Sequence, residues 1–548
     1  MKNVLLLAMS TLPKDIKKEN RYQYQNENGE VEVLTAISQL EPVTHMLNNE
    51  LGKKGEKLDK IIILETEETR NGADGNPAAV AFYKQRVAMF AEDIKYDDIL
   101  IDENQPAEGI RKATDRILLE YEDSINNKDE MKLWIDTQGG FRDIVVVFTA
   151  IISLLREQGI EAEKIYATRY NHKSGETGQK PHPIIDQTAK YDIFKFVSAM
   201  QEFMDFGKAT GLKKYYGEKN GFVQAIDKIA DAIQMCQPQM FEEALRGFKA
   251  YLDSGQYKNE DSYLQIFVSF IKKDYGALLD EPDDTIKQIE WCVRKEFYQQ
   301  AMTIYIEKMP QYYYEKEKLN LEIDSKSSHG TNPYAAAFYT DLFEKMLKKM
   351  DDLFRNILSG LREELDKGRN AVQYLRAELE RTENKIVRGA VRRLVEYIED
   401  KYDENGALRS KELEGEPKNV KNYVNKLNSD SDRRGRNKFL YDCSLNDKEN
   451  YTKKVFAVKA AKETDPQLAN RMGHYLAIKL LRNRMNHASD TEGEGDEKKA
   501  IELLKTEGID IGIEVIHGEP HLDNHKIKKL ILDGLSCSQS DDQNSAGK

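Results

Sequence analysis

The sequence has few cysteines and no long apolar run. Its four cysteines, Cys236, Cys292, Cys443 and Cys537, lie far apart without a CxxC pair. That spacing excludes a zinc ribbon and does not suit a disulfide framework. We therefore expect reduced thiols, a cytoplasmic location and no structural metal. No stretch approaches the roughly 18 apolar residues that a membrane span requires, so no membrane association is expected.

The sequence also has no excess of basic over acidic residues. Charged residues make up 32% of the 548 residues, and the formal net charge is −13, which argues against a protein that coats nucleic acid through its overall field. Any RNA contact must therefore come from a local basic patch. The stretch 433–438, RRGRNK, is one candidate, and a solvated loop is the alternative. The length predicts two or three domains.

Up to about residue 190, short apolar runs alternate with amphipathic segments. This is the alternation of buried parallel strands and helices in a doubly wound α/β domain. Residues 22–36, with Asn28-Gly29 between two β-prone runs, predict an inserted hairpin. The predicted strands are 4–9, 61–64, 99–101, 133–135 and 165–167, and the predicted helices lie near 39–51, 77–93, 108–127 and 141–158.

After about residue 191 the alternation stops, and apolar residues recur with a helical period, for example over 222–235 and 286–307. The charged run 334–401 leaves a coiled coil open, but Gly360 and Gly368 interrupt it and favour packed helices. The charged residues 402–438 predict a mobile loop. The fold class is therefore α/β plus all-α.

Polar residues follow three of the predicted strands, at the sheet edge where open α/β sheets bind ligands. A Gly-Gly step there allows close backbone approach, a helix beginning near Phe141 suits a phosphate, and Arg142 adds a charge-assisted contact. The alternative is a tight turn capped by Asp136 or Thr137, and for Asn171 a plain polar loop. The candidate ligand-binding residues are Ser10, Thr11, Asp136, Thr137, Gln138, Gly139, Gly140, Phe141, Arg142 and Asn171.

The segment 471–490, RMGHYLAIKLLRNRMNHASD, has helical apolar spacing and contains an R-x4-H pair, Arg482 and His487. About one such pair is expected by chance, but only this one occurs, and Asn483 directly follows the arginine. On a helix the two side chains lie about 140° apart and flank a site. The alternative is an exposed Arg and His on a surface helix. His474 is predicted to be a packing or hydrogen-bonding histidine.

Histidine and arginine are together sufficient for metal-free RNA cleavage. The substrate supplies the nucleophile in its 2′-hydroxyl group. Histidine can act as general base or acid, and arginine, which stays charged, can stabilise the anionic phosphate. The pair therefore predicts a nuclease that needs no cofactor.

The segments MKNVLLLAMST, WIDTQGGFRD and LRNRMNHAS together resemble, in order and separation over nearly the whole chain, the CARF-HEPN ribonucleases of type III CRISPR systems. In that family a CRISPR-associated Rossmann fold (CARF) precedes a helical HEPN nuclease. The resemblance implies a Rossmann-like CARF domain, a helical connecting domain, an α-helical HEPN domain and a partly disordered tail, at residues 1–190, 191–335, 336–520 and 521–548.

The resemblance also implies a homodimer. Two CARF domains would form a composite pocket for a cyclic oligoadenylate activator, and two HEPN domains would form one groove that cuts single-stranded RNA. Carried over, Arg482 and His487 are catalytic with Asn483 in support, and Ser10, Thr11 and the loop 136–142 bind the activator. Many relatives have a histidine where Gln138 stands, which leaves open the ring size and whether the CARF domain cleaves its activator.

The expected function is therefore a cyclic-oligoadenylate-activated, metal-independent endoribonuclease of CRISPR antiviral defence. One alternative is a ligand-responsive CARF regulator or scaffold without catalysis, for which a helix-turn-helix with a basic recognition face would be decisive. No clear one is found. Another is a HEPN-type nuclease toxin, which would need no second messenger and leaves the large N-terminal domain unexplained.

Overall fold

The computed structural model divides into two compact units, Met1–Met200 and Gln201–Lys548. The finer division of the helical part into a connecting domain and a HEPN domain stays a prediction. Among the described residues, no helix is both long and apolar enough to cross a bilayer. The structure describes residues 1–12, 16, 19–37, 40–72, 77–169, 180–323, 332–409, 416–441, 450–486, 495–509, 513–516 and 519–539.

The described part of the first unit contains one eight-stranded sheet with the order β3-β2-β8-β7-β6-β1-β4-β5. Neighbours from β7 to β5 run parallel, as predicted. The strands are β1 (Lys2–Ala8), β2 (Glu19–Gln25), β3 (Val31–Ile37), β4 (Lys60–Glu65), β5 (Lys95–Leu100), β6 (Met131–Asp136), β7 (Ala162–Thr168) and β8 (His182–Asp186).

The helices of this unit explain why its central strands are apolar throughout. Leu5 and Leu7 of β1 lie in a core that includes residues of α1 and α3, and Val4 and Leu6 lie in a second core with residues of α4 and α5. Both faces of the sheet are therefore buried, as in doubly wound folds. The helices are α1 (Pro42–Lys53), α2 (Glu67–Asn71), α3 (Ala79–Val87), α4 (Ala107–Asn126), α5 (Ile144–Glu157) and α6 (Thr188–Phe206).

The predicted hairpin is present as β2 and β3, but it does not stand alone. Strand β8 pairs antiparallel with β7 and, through Tyr22 and Gln23, parallel with β2. The hairpin thereby extends the sheet. Strand β8 was not predicted, because five residues are too short to show a period.

Among its described residues, the second unit is helical apart from one small antiparallel hairpin, β9 (Ile513–Ile516) with β10 (Glu519–Leu522), which confirms the α/β plus all-α fold class. Its described helices are α7 (Thr210–Tyr216), α8 (Gly221–Gln234), α9 (Pro238–Ser254), α10 (Ser262–Asp280), α11 (Thr285–Arg294), α12 (Tyr298–Glu315), α13 (Pro333–Ala336), α14 (Phe343–Asp366), α15 (Ala371–Arg381), α16 (Lys385–Lys401), α17 (Val420–Leu427), α18 (Arg433–Leu440), α19 (Asn450–Lys462), α20 (Pro466–Asn486), α21 (Gly495–Thr506) and α22 (Asn524–Gln539). A π-helical segment, Ala337–Leu342, joins α13 to α14.

Two details of the helix prediction were wrong. Gly360 does not interrupt a helix: it lies inside α14, where a Cβ atom would come within 2.2 Å of the Tyr374 hydroxyl, so glycine makes room for that ring. The run 286–307 is two helices, because Glu296 adopts φ +60° and the Phe297 amide closes the turn on the Cys292 carbonyl.

The mobile loop predicted over 402–438 was also wrong in part, because it contains α17 and begins α18. Val420, Tyr423, Val424 and Leu427 are buried along one face of α17, but the charged residues between them hide this pattern in the sequence. Residues 410–415 lie outside the described residues.

The basic stretch 433–438 lies on α18 and not in a loop. Arg436 is 2% exposed; its Nε donates to Oδ1 of Asp351 at 2.8 Å, and its Nη1 donates to the carbonyl groups of Leu427 and Ser429. This arginine fastens α18 to α14 and cannot reach RNA. Arg433, Arg434 and Lys438 remain exposed.

Replacing Arg436 with methionine should destabilise the second unit by about 3 kcal/mol, because it leaves the Asp351 carboxylate without its partner in a partly buried position. Chemical unfolding followed by Trp291 fluorescence, in a Trp134→Phe background, measures this. The matched control is Lys438→Met on the exposed side of the same helix. Equal stability of the two variants would contradict the structural role of Arg436.

Candidate functional site

The sheet order creates a crevice between β1 and β6. Apart from the inserted hairpin, β4 and β5 follow one another outward on one side of β1, and β6 and β7 follow one another outward on the other side, so the strand order reverses between β1 and β6. Ligands of open α/β sheets bind at such a switch point. Ser10 and Thr11 follow β1, and the loop 137–143 follows β6. The predicted segments therefore lie at the same edge of the sheet.

The Gly-Gly step of the loop allows it to approach the end of β1. A Cβ atom on Gly139 would lie 1.7 Å from the Ala8 carbonyl oxygen, and Gly140 adopts φ +98°. The Gly140 amide donates to Oγ of Ser10 at 2.9 Å. Two residues predicted from separate segments, Ser10 and Gly140, are thus in direct contact.

The three residues before the two glycines, Asp136, Thr137 and Gln138, form hydrogen bonds to neighbouring groups of the protein. The Gln138 amide donates to Oδ1 of Asp136 at 3.0 Å, and Oγ1 of Thr137 donates to the Tyr166 carbonyl at 3.1 Å. The side-chain oxygen of Gln138 accepts the Thr168 amide at 3.0 Å. These bonds tie the end of β6 to β7 and fix the path of the loop. Whether these side chains also contact a ligand stays a prediction.

Asp136 is buried at the bottom of this loop. Its side chain is 3% exposed, and burial raises the pKa of the carboxyl group to about 7, against a smaller lowering by the Gln138 amide. The carboxyl group is therefore partly protonated near neutral pH. A neutral carboxyl at the crevice also repels an anionic ligand less than a carboxylate would.

The surface side of the loop carries an exposed cationic side chain, Arg142. Helix α5 begins at Ile144, three residues later than predicted, because Phe141 turns inward against the core below α5. Asp143 at its N-terminus makes no side-chain capping bond. Arg142 is exposed and has no ion pair with a described residue. Thr11 is exposed as well, whereas Asn171 lies outside the described residues.

The second candidate site lies at the end of α20. Arg482 is half-buried, and its Nε is buried without a hydrogen-bond partner among the described residues. The Asn483 side-chain amide donates to the Tyr451 hydroxyl at 3.2 Å, which holds it against α19. Helix α20 ends at Asn486, and His487 lies outside the described residues. The geometry of the R-x4-H pair therefore stays a prediction.

His474, eight residues before Arg482, is a packing histidine as predicted. It is 7% exposed, its Nδ1 donates to the Asn470 carbonyl at 2.9 Å, and burial lowers its pKa. It therefore stays neutral near physiological pH. Among the described residues, no group of three histidine, cysteine, aspartate or glutamate side chains is placed to hold a metal ion.

Two lysines, one of them close to Arg482, were missed by the sequence analysis. Lys479 is three residues before Arg482 on α20, and Lys454 lies on α19. Both contact the ring of Tyr339. The spacing of Lys479 to Arg482, which places both on one face of the helix, was a usable signal, but only the tertiary structure brings Lys454 and Tyr339 to the same place.

Replacing Gly139 with alanine should disrupt the β1–β6 crevice and destabilise the first unit by at least about 2 kcal/mol, since the new methyl group collides with the Ala8 backbone. In a Trp291→Phe background, only Trp134 of β6 reports on unfolding. Gly52→Ala, inside α1 with open space around it, is the control and should be neutral or stabilising. A stable Gly139→Ala variant would contradict the close approach.

The raised pKa of Asp136 predicts a stability that falls as pH rises. The folded state binds the proton more tightly than the unfolded state, so this contribution is complete below about pH 4 and is lost as pH rises through about 7. An asparagine at position 136 keeps a side-chain oxygen that can accept the hydrogen bond from the Gln138 backbone amide. Because it cannot ionise, the Asp136→Asn variant does not lose stability as pH rises.

The stability advantage of Asp136→Asn over the unchanged chain should therefore grow between about pH 5 and pH 8, toward a limit of about 4 kcal/mol. Unfolding followed by Trp134 fluorescence at both pH values measures it. Exposed Asp143→Asn is the control and should show little change. An advantage independent of pH would mean that Asp136 is ionised throughout this range.

The chain is similar to solved structures but matches no family model. No protein-family model and no curated protein matches the chain. The chain is similar to the structure titled "Enterococcus italicus Csm6 bound to cyclic hexa-2′-fluoro-hexa-dAMP", with 11% sequence identity, a TM-score of 0.31, and coverage of 96% of this chain and 99% of that chain.

Proposed function

We propose that the chain is an endoribonuclease of CRISPR antiviral defence that a cyclic oligoadenylate activates. The nuclease site is the end of α20, and the sensor site is the β1–β6 crevice. The observation that carries the proposal is the half-buried Arg482, whose Nε has no partner among the described residues and whose neighbour Asn483 is held against Tyr451. A guanidinium in that state supports the binding of an anion such as phosphate.

The proposed reaction is an attack of the RNA 2′-hydroxyl on the adjacent phosphorus. The 2′-oxygen forms a bond to phosphorus and the bond to the 5′-oxygen breaks, which leaves a 2′,3′-cyclic phosphate and a 5′-hydroxyl. His487 takes or returns the proton, and Arg482 stabilises the charge of the crowded phosphate. Asn483 supports the orientation of the site. This chemistry needs no metal, because the nucleophile belongs to the substrate.

The sensor is proposed to bind the phosphates of the ring where the protein offers backbone and cationic groups. Gly139 and Gly140 bring the backbone close, the N-terminus of α5 lacks a side-chain cap, and Arg142 lacks an ion pair among the described residues. Each feature favours an anion. In the proposed homodimer, activator binding shifts the population toward the state in which two copies of Arg482 and His487 face one RNA strand.

Cutting of labelled single-stranded RNA in the presence of a panel of cyclic oligoadenylates tests the proposal. We expect one ring size to stimulate cutting in the presence of EDTA, with 2′,3′-cyclic phosphate ends identified by mass spectrometry. His487→Ala should lower the rate about 10²- to 10⁴-fold, and Arg482→Ala about 10²- to 10³-fold. The matched control is Arg484→Ala, two residues along the same helix, which should keep its activity.

Three outcomes would overturn the proposal. Full activity of His487→Ala would remove the R-x4-H pair from the chemistry. Activator binding without any RNA cutting would indicate a regulator or scaffold, and cutting that ignores every ring would indicate a toxin.

A further inference from the structure

Two lysines of the second unit contact one tyrosine ring, and an arginine lies one helical turn from the second lysine. We name Lys454, Lys479 and Arg482 the basic cluster. The Lys479 ammonium lies 3.8 Å from the centroid of the Tyr339 ring, and the Lys454 ammonium lies 4.3 Å from the same centroid. Lys479 and Arg482, three residues apart on α20, share a helix face. The cluster therefore extends the candidate nuclease site by one helical turn.

The basic cluster has no ion-paired carboxylate among the described residues. Lys454 is 4% exposed, while Lys479 and Arg482 are half-buried, and none of the three has an ion pair within the described residues. Burial lowers the pKa of both lysines, and each is lowered further by the next cation of the cluster. Glu307, Glu344 and Asp341 act on the lysines only from beyond ion-pair distance. Removing cations from water without a counter-charge is costly, which favours an anion at this place.

The two lysines differ in whether their ammonium groups donate hydrogen bonds to described residues of the protein. The Lys454 ammonium donates to the Tyr339 carbonyl at 2.8 Å and also lies over Phe343. That carbonyl belongs to the π-helical segment Ala337–Leu342, and such segments are frequent at functional sites. The Lys479 ammonium has no hydrogen bond to a described residue, and it lies 3.8 Å from the Tyr339 ring centroid and 5.9 Å from that of Tyr475. Lys454 therefore holds Tyr339 in place, and Lys479 keeps its donors for another group.

We infer that Lys479 contacts the backbone of the RNA substrate, at a phosphate next to the one that Arg482 stabilises. Three residues of α-helix separate the two side chains by about 4.5 Å along the axis. Tyr339 positions the Lys479 ammonium, and Lys454 positions Tyr339. This inference rests on the proposed function and adds a phosphate-binding residue to it. Because Lys479 binds substrate and transition state alike, it contributes to RNA affinity more than to the chemical step.

The salt dependence of RNA binding tests the inference. Binding of labelled single-stranded RNA is measured at several salt concentrations in a His487→Ala background, which prevents cutting. Each phosphate contact contributes about −0.7 to the slope of log affinity against log salt. Lys479→Met should therefore make the slope shallower by about 0.7, and Lys479→Arg should restore it. The matched control is Lys349→Met on α14, an exposed lysine that should leave the slope unchanged.

Kinetics with the activated, catalytically intact protein provide a second readout. Lys479→Met should raise KM about 10-fold with kcat within about twofold, the result expected when uniform binding is removed. Lys479→Gln replaces it if the methionine variant does not fold. If Lys479→Met binds RNA with the same salt slope and the same KM as the parent protein, this inference is wrong and the proposed function stands. If the protein without substitutions neither binds nor cuts RNA, both the proposed function and this inference are wrong.

Discussion

The close approach of Gly139 to the Ala8 carbonyl is the constraint on which the proposed sensor site depends. Only a residue without a Cβ atom allows the loop after β6 to lie against the end of β1. That approach brings the Gly140 amide to Ser10, directs Phe141 into the core and leaves Arg142 at the surface. The positions that a ligand would meet therefore follow from one close packing of backbone against backbone.

In the helical unit the corresponding constraint is a group of buried or half-buried cations that have no ion-paired carboxylate among the described residues. Many charged residues on its surface form ion pairs with opposite charges, and the buried Arg436 has Asp351. Lys454, Lys479 and Arg482 have no such partner among the described residues, and aromatic rings supply only part of the stabilisation that water gave. These unpaired cations destabilise the protein when no ligand is bound, and a bound anion would offset that cost. Such a conflict between stability and function is expected at a binding site.

The candidate site could be predicted from the sequence where a residue type is needed by its neighbours along the chain. The strand–Gly-Gly–helix pattern predicted Gly139 and Gly140 because close approach of backbone requires glycine, and Ser10 because it follows a strand. The inward bonds of Thr137 and Gln138 were not predictable, since their partners lie on β7, about 30 residues away. Asn171 and His487 lie outside the described residues, so their roles stay predictions.

The sequence by itself determined the five parallel strands, the helical second half and the two segments that carry the candidate chemistry, because the periods of burial and the glycine requirement are local properties. Only the tertiary structure decided that β8 joins the hairpin to the sheet, that Arg436 is a structural residue, and that two lysines share the Tyr339 ring. These depend on which distant segments pack together. Lys454 and Tyr339 are separated by more than a hundred residues of chain, and no local pattern records that they meet.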